Sequence, residues 1–219
     1  MTYQPQFVRQ TAQGLPLARI ATLIDRPLNC LIVRKNEGIQ QLADLKGKTI
    51  GYSSQSEGTL ALSQLLASAG LKLSDVHLIN VQYNLVQGLL TRRLDAVINA
   101  MRNVEPLELE ALGQPVTVFP IEPAMPAYDE LILVVHQSTL HAAYWPHLLK
   151  ALQAATHYVL EHPEQSWRIF ARHHPTLNND LNHKIWYATL PYLAKHPATW
   201  DKKREETFTQ FLKEHGQLT

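Results

Sequence analysis

"TIGYSSQSEGTLALSQLLASAG", Thr49 to Gly70, is the stretch that decides the fold. A short strand-like run, "TIGYSS", breaks into a small polar loop. From Glu57 to Ala69 apolar residues then recur at helical spacing, at Leu60, Leu62, Leu65, Leu66 and Ala69. Gly70 stops the helix, because glycine readily takes the left-handed conformation that ends one. The unit repeats downstream: "DVHLINV" reads as a strand, "NLVQGLLTRRL" as a helix and "DAVINAM" as a strand. "NVEPLELEALG" follows as a helix closed by Gly113, then "VTVFPI" as a strand. This alternation from Thr49 to Ile121 predicts a parallel sheet covered by helices.

Working outward, "PLNCLIVRK" (Pro27 to Lys35) reads as a strand, and "GIQQLADLKGK" as a short helix or turn anchored by Leu42 and Leu45. On the other side "PAMPAYDELILVVHQ" is a proline-punctuated crossover leading into a strand from Leu131 to Val135. Everything beyond it carries helical patterns, broken at Pro163, Pro175 and Pro197. The opening "YQPQFVRQTAQGLPLARIATLID" starts in what reads as a strand-to-helix turn with no strand ahead of it. The expectation is a truncated chain whose first sheet lacks a neighbour.

With 219 residues the chain can form one large domain or two small lobes. Its 45% hydrophobic and 18% charged residues describe an ordinary globular protein. A net charge of +1 argues against a partner gripped through nucleic-acid phosphates, and "DKKREE" (Asp201 to Glu206) balances its own charge. The single cysteine, Cys30, excludes an intrachain disulfide and any multi-cysteine metal site; its apolar surroundings read as those of a buried structural thiol. No run approaches the roughly 20 apolar residues of a membrane span. "MTYQPQFVRQ" lacks the basic start and apolar stretch of an export signal, which taken literally means cytoplasm.

Few loops invite catalysis. "KGKT" (Lys46 to Thr49) lies before a strand, and Leu42 stands where a phosphate-binding P-loop needs glycine. "GYSSQSEGT" does occupy the strand-to-helix position. There Ser53, Ser54, Thr59 and the amides of the helix starting near Glu57 suit a polar or anionic ligand group, or Ser56 merely caps the helix. Ligands of open α/β sheets bind beyond the carboxyl ends of strands, which favours that loop. The same rule marks Tyr83 and Asn84 after "HLINV", and Asn99, Asn103 and Glu105 around the end of "DAVINAM". Glu105 at a helix start is either a dipole partner or an acceptor for a ligand amine. Tyr3, Tyr83 and Tyr128 are candidates for stacking on a flat ring, or ordinary packing. His173 and His174 are adjacent and diverge on a helix, so they are not a chelating pair; no "GxSxG" elbow occurs.

At this point "YQPQF", "GLPLARIATLIDRPLNCLIV", "LADLKGKTIGYSS", "LLTRRLDAVINAMRNVEPLEL", "PAYDELILVV" and "LPYLAKHPATWDKKREETFTQFLKEHG" resemble the NMT1/THI5-like substrate-binding proteins, above all those that bind pyrimidine precursors in thiamine salvage. "YQPQ" and "NVEP" are the more specific motifs; "LKGKTIG" is shared with nitrate, taurine and alkanesulfonate binders. The resemblance implies an α/β type II periplasmic-binding-protein fold of two lobes with parallel-rich sheets and a helical C-terminus. Lobe 1 would comprise 1–35 and 126–219 and be incomplete, and lobe 2 would comprise 36–125. It implies a monomer in the periplasm, without cofactor, metal or nucleic acid. The protein would bind a 4-aminopyrimidine thiamine precursor in an interlobe cleft and work with an ABC permease and ATPase. Implied ligand residues are Tyr3, Gln4, Asn29, Ser53, Ser54, Glu57, Gly58, Thr59, Tyr83, Asn84, Asn103, Glu105 and Tyr128, with Glu105 pairing to the aminopyrimidine. Asp129 would mark the return crossover.

Three rivals remain. A sulfonate, nitrate or taurine binder shares the fold, but Glu105 would repel an anion in a dry cleft. The related THI5-like pyrimidine synthase is an enzyme with a cysteine-rich segment, and this chain has one cysteine. A regulator's effector domain would follow a helix-turn-helix segment, and none is read here.

Overall fold

In the computed structural model the described residues are 1–53 and 55–218, with the backbone alone at 55–57. They divide into two compact units, one from Leu28 to Met125 and the other from Met1–Pro27 and Pro126–Thr219.

The continuous unit carries a five-stranded sheet built from β2 (Asn29–Arg34), β3 (Thr49–Tyr52), β4 (His77–Asn80), β5 (Ala96–Met101) and β6 (Val116–Pro120), following β1 (Leu17–Ile24) of the other unit. Its order is β4-β3-β5-β2-β6. β3 runs parallel to β4 and β5, while β2 is antiparallel to both β5 and β6. The four strands read as parallel therefore do point one way, and β2 is inserted among them in reverse. This moves the unit boundary from Lys35 to Leu28. The run "NCLIVR", which the family resemblance places in the first lobe, is buried at every position and has a strand of this sheet on each side.

Helices α2 (Gln55–Ser68), α3 (Leu85–Leu90) and α4 (Glu105–Ala111) connect the parallel strands. α3 and α4 place Leu85, Leu89 and Leu109 on Cys30, Ile32, Val97 and Ala100. α2 packs against β3 and β5 outside that cluster. Since β4 and β5 flank β3 on opposite sides, right-handed crossovers place α2 on the opposite face. Gly70 and Gly113, with φ of 74° and 78°, take the left-handed turns after α2 and α4.

The discontinuous unit pairs β1 antiparallel with β7 (Leu131–His136). Isolated bridges join Thr2 to Ile132 and Ile24 to Leu193. Around this pair lie α1 (Gln4–Ala12), α5 (Trp145–Glu161), α6 (Pro163–His173), α7 (Asp180–Thr189) and α8 (Lys202–Glu214). Phe7, Val8, Ile20, Ala21, Ile132, Trp167, Phe208 and Leu212 are among its buried apolar residues.

Candidate functional site

The parallel strands of the continuous unit end on one edge, and the reversed β2 begins there. That reversal brings Asn29 to the carboxyl ends of β3 and β5, opposite Met101. α2 leaves β3 on one face and α4 leaves β5 on the other, which is the crevice geometry where ligands of α/β sheets bind.

Asn29 is buried, and its Oδ1 accepts the Asn99 N–H at 3.1 Å. The Ser53 N–H donates to Asn99 Oδ1 at 3.3 Å. Gly58, in the first turns of α2, lies against that same oxygen. Asn103 is buried on the turn beyond β5. Glu105 opens α4, where its Oε2 accepts the Met101 N–H at 2.7 Å. Burial raises the pKa of this carboxyl; the hydrogen bonds from Met101 and from its own N–H pull the other way, and nearby Glu108 adds to the rise. Arg102, on the same turn, donates to Glu122 at 2.7 Å. This edge thus carries neutral amides and the half-buried Glu105 carboxyl group, which suit a ligand that donates hydrogen bonds.

Thr59 is partly buried in α2. Ser54 and the Glu57 side chain lie outside the described residues. Tyr83 and Asn84 follow β4, at the sheet's outer strand. Tyr83 is 97% exposed, and Asn84 lines a cavity of about 540 Å³ with Ile79, Gln87, Thr91 and Arg93. Asn84 stands at the N-terminus of α3 without a side-chain cap bond.

The remaining predicted residues belong to the discontinuous unit. Tyr3 precedes α1 and is 41% exposed. Gln4 is buried, and its Oε1 accepts the Asp129 N–H at 2.6 Å. Tyr128 is buried on Phe208, ring centroids 4.8 Å apart. A cavity of about 420 Å³ lies near the end of β1, lined by Asp25, Arg26, Asp129, Trp200 and Arg204 among others. Among the described residues no group of three histidine, cysteine or acidic side chains is placed to hold a metal ion. Asn99, expected to follow a strand, lies within β5, and its left-handed backbone and its contacts with Asn29, Ser53 and Gly58 are visible only in the fold.

The NMT1/THI5-like family model matches residues 1–166. The chain is 41% identical to a putative thiamine biosynthesis protein of Haemophilus influenzae over 99% of its length and 69% of that protein. It is 26% identical to a formylaminopyrimidine-binding protein of Halalkalibacterium halodurans, covering 89% of this chain and 60% of that one. A Legionella pneumophila 4-amino-5-hydroxymethyl-2-methylpyrimidine phosphate synthase is 27% identical, covering 89% of this chain and 64% of that one. The chain thus spans less than two thirds of these last two relatives. In fold it is similar to the alkanesulfonate-binding protein SsuA of Xanthomonas axonopodis, with a TM-score of 0.74 at 15% identity over 99% of this chain and 75% of that one. SsuA of Escherichia coli gives 0.73 at 16% identity, over 99% and 74%.

Proposed function

The chain belongs to the NMT1/THI5-like family, and on that premise we propose that it is the solute-binding component of an ABC importer taking a 4-aminopyrimidine thiamine precursor. It would work outside the cytoplasm, as a monomer that delivers its solute to a permease and ATPase. The observation that carries the reading is Glu105, half-buried at the start of α4 on the carboxyl edge of the sheet, the edge that also carries Asn29, Ser53 and Asn103. A 4-aminopyrimidine presents an amine beside a ring nitrogen, which pairs with a carboxyl group. A ring lacking that amine would leave the buried carboxyl unmatched, at a cost of about 1–3 kcal/mol. The remaining candidates (Tyr3, Gln4, Ser54, Glu57, Gly58, Thr59, Tyr83, Asn84 and Tyr128) are proposed contacts of lesser weight.

Two relatives sharpen the rival readings. The sulfonate binders share the fold, but their kind of ligand would bring a negative group to Glu105. The synthase reading asks for cysteine chemistry, whereas Cys30 is fully buried and its Sγ donates to the Ala100 carbonyl at 3.3 Å.

Titration calorimetry with 4-amino-5-hydroxymethyl-2-methylpyrimidine, formylaminopyrimidine and an alkanesulfonate tests this. The expected result is binding of a pyrimidine, weakened about tenfold or more by Glu105→Gln, the equivalent of one lost charge-assisted hydrogen bond. Binding of the sulfonate alone, or unchanged pyrimidine affinity in the variant, would overturn the assignment.

A further inference from the structure

We propose that Asn99 is a positioning residue for the ligand edge of the 28–125 unit, holding the exit of β3 in place through its side-chain amide. The inference rests on the functional reading above and assigns a part in it to a residue outside the proposed contact set.

Between the pairs Cys30↔Ala100 and Ile32↔Val97, β2 advances two residues and β5 advances three. The extra residue makes a bulge in β5 at Ile98 and Asn99. Bulges re-aim a side chain and gather beside functional sites. Asn99 carries the left-handed backbone of this bulge, with φ of 69°. Asparagine tolerates that conformation better than most residues, but glycine takes it at less cost. The backbone alone would therefore favour glycine, and what asparagine adds is its amide.

Residues from three elements meet at Asn99. The Asn99 backbone N–H donates to Asn29 Oδ1 at the start of β2. Its Oδ1 accepts the Ser53 N–H as the chain leaves β3. A methyl group placed on Gly58 of α2 would come to 2.2 Å from the same Oδ1, so the amide fills the space that a larger residue at 58 would need. The exit of β3 and the start of α2 are thus referenced to the Asn99 side chain, and the start of β2 to its backbone N–H. A ligand contacting Ser53 would meet a group whose position Asn99 sets.

Two variants separate the side chain from the backbone. Asn99→Gly keeps the left-handed turn and removes the amide; Asn99→Asp keeps an acceptor toward Ser53. The readouts are amide hydrogen exchange at Ser53 by NMR and calorimetry with 4-amino-5-hydroxymethyl-2-methylpyrimidine. Asn99→Gly should speed Ser53 exchange and weaken binding, each by about tenfold, while Asn99→Asp restores both to within about threefold. Faster Ser53 exchange with unchanged affinity would overturn the positioning role, and unchanged exchange in Asn99→Gly would overturn the geometry behind it. If the parent chain binds no pyrimidine, the functional reading fails and takes the ligand role of Asn99 with it. Ser53 exchange then still reports whether Asn99 holds the turn.

Discussion

Arg19 and Asp129 pair with each other while each side chain is only 2% exposed. Asp129 also accepts from Arg204 of α8, and Arg19 donates to Glu205 at 2.5 Å and to Thr22. The Arg19 guanidinium lies 4.6 Å from the ring centre of Trp200. Burial lowers the pKa of Arg19, and Glu205 opposes that shift. The network joins β1, the approach to β7 and α8, and through Gln4 it reaches the start of α1.

Asp129→Ala should therefore destabilise the discontinuous unit by about 1–3 kcal/mol, because Arg19 and Arg204 both lose a hydrogen-bonded partner while Arg19 keeps Glu205 and Thr22. The double variant Arg19→Met with Asp129→Leu should lose less than the sum of the two single changes. Urea denaturation measures both; additive losses would mean that the pair is not coupled.

Gly88→Ala should destabilise the 28–125 unit by about 1–3 kcal/mol, although alanine is normally the better helix former. A Cβ at 88 would come within 2.2 Å of Leu94 Cδ1 and 2.9 Å of its Cγ, so Leu94, buried at 2% exposure, would have to leave its packed position. In a Leu94→Ala background the same change should cost little or stabilise. Denaturant midpoints of the four proteins check the sign, and a stabilising Gly88→Ala in the parent would refute the packing argument.

Glu105 makes a pH prediction. Its folded pKa is raised above the unfolded value, so the folded chain holds this proton more tightly. Its contribution to stability is fully present below the unfolded pKa, near 4.3, and is lost as pH rises through the folded pKa. Glu105→Gln removes that dependence, so the variant should gain on the parent as pH rises from about 4 to 7, the range of carboxyl titration. Denaturation at several pH values measures the gap; a gap independent of pH would contradict the assigned burial effect.

Much of the continuous unit was legible locally. The strand-loop-helix reading of Thr49 to Gly70 matches β3 and α2, and Gly70 and Gly113 stand in the left-handed turns their positions required. Cys30 in its apolar run is fully buried. The insertion of β2 between β5 and β6 was not legible. It depends on pairings between Asn29–Arg34 and strands far along the chain, and no local period encodes a partner. The site shows the same division. Glu105 and Ser53 could be placed at strand ends by counting, but the φ of Asn99 and the closeness of Gly58 are properties of the assembled bulge. Nor does the sequence show that Tyr128 packs on Phe208, a residue 80 positions further along the chain.

The split of the chain into a continuous and an interrupted unit has a consequence during synthesis. All the strands of the five-stranded sheet have left the ribosome once Met125 is clear of it, so that sheet can close early. β1 emerges before any of them, yet its partner β7 comes after them all. Until then Leu17–Ile24 waits without β7, its partner in the finished unit, which makes it a segment where a chaperone has something to protect.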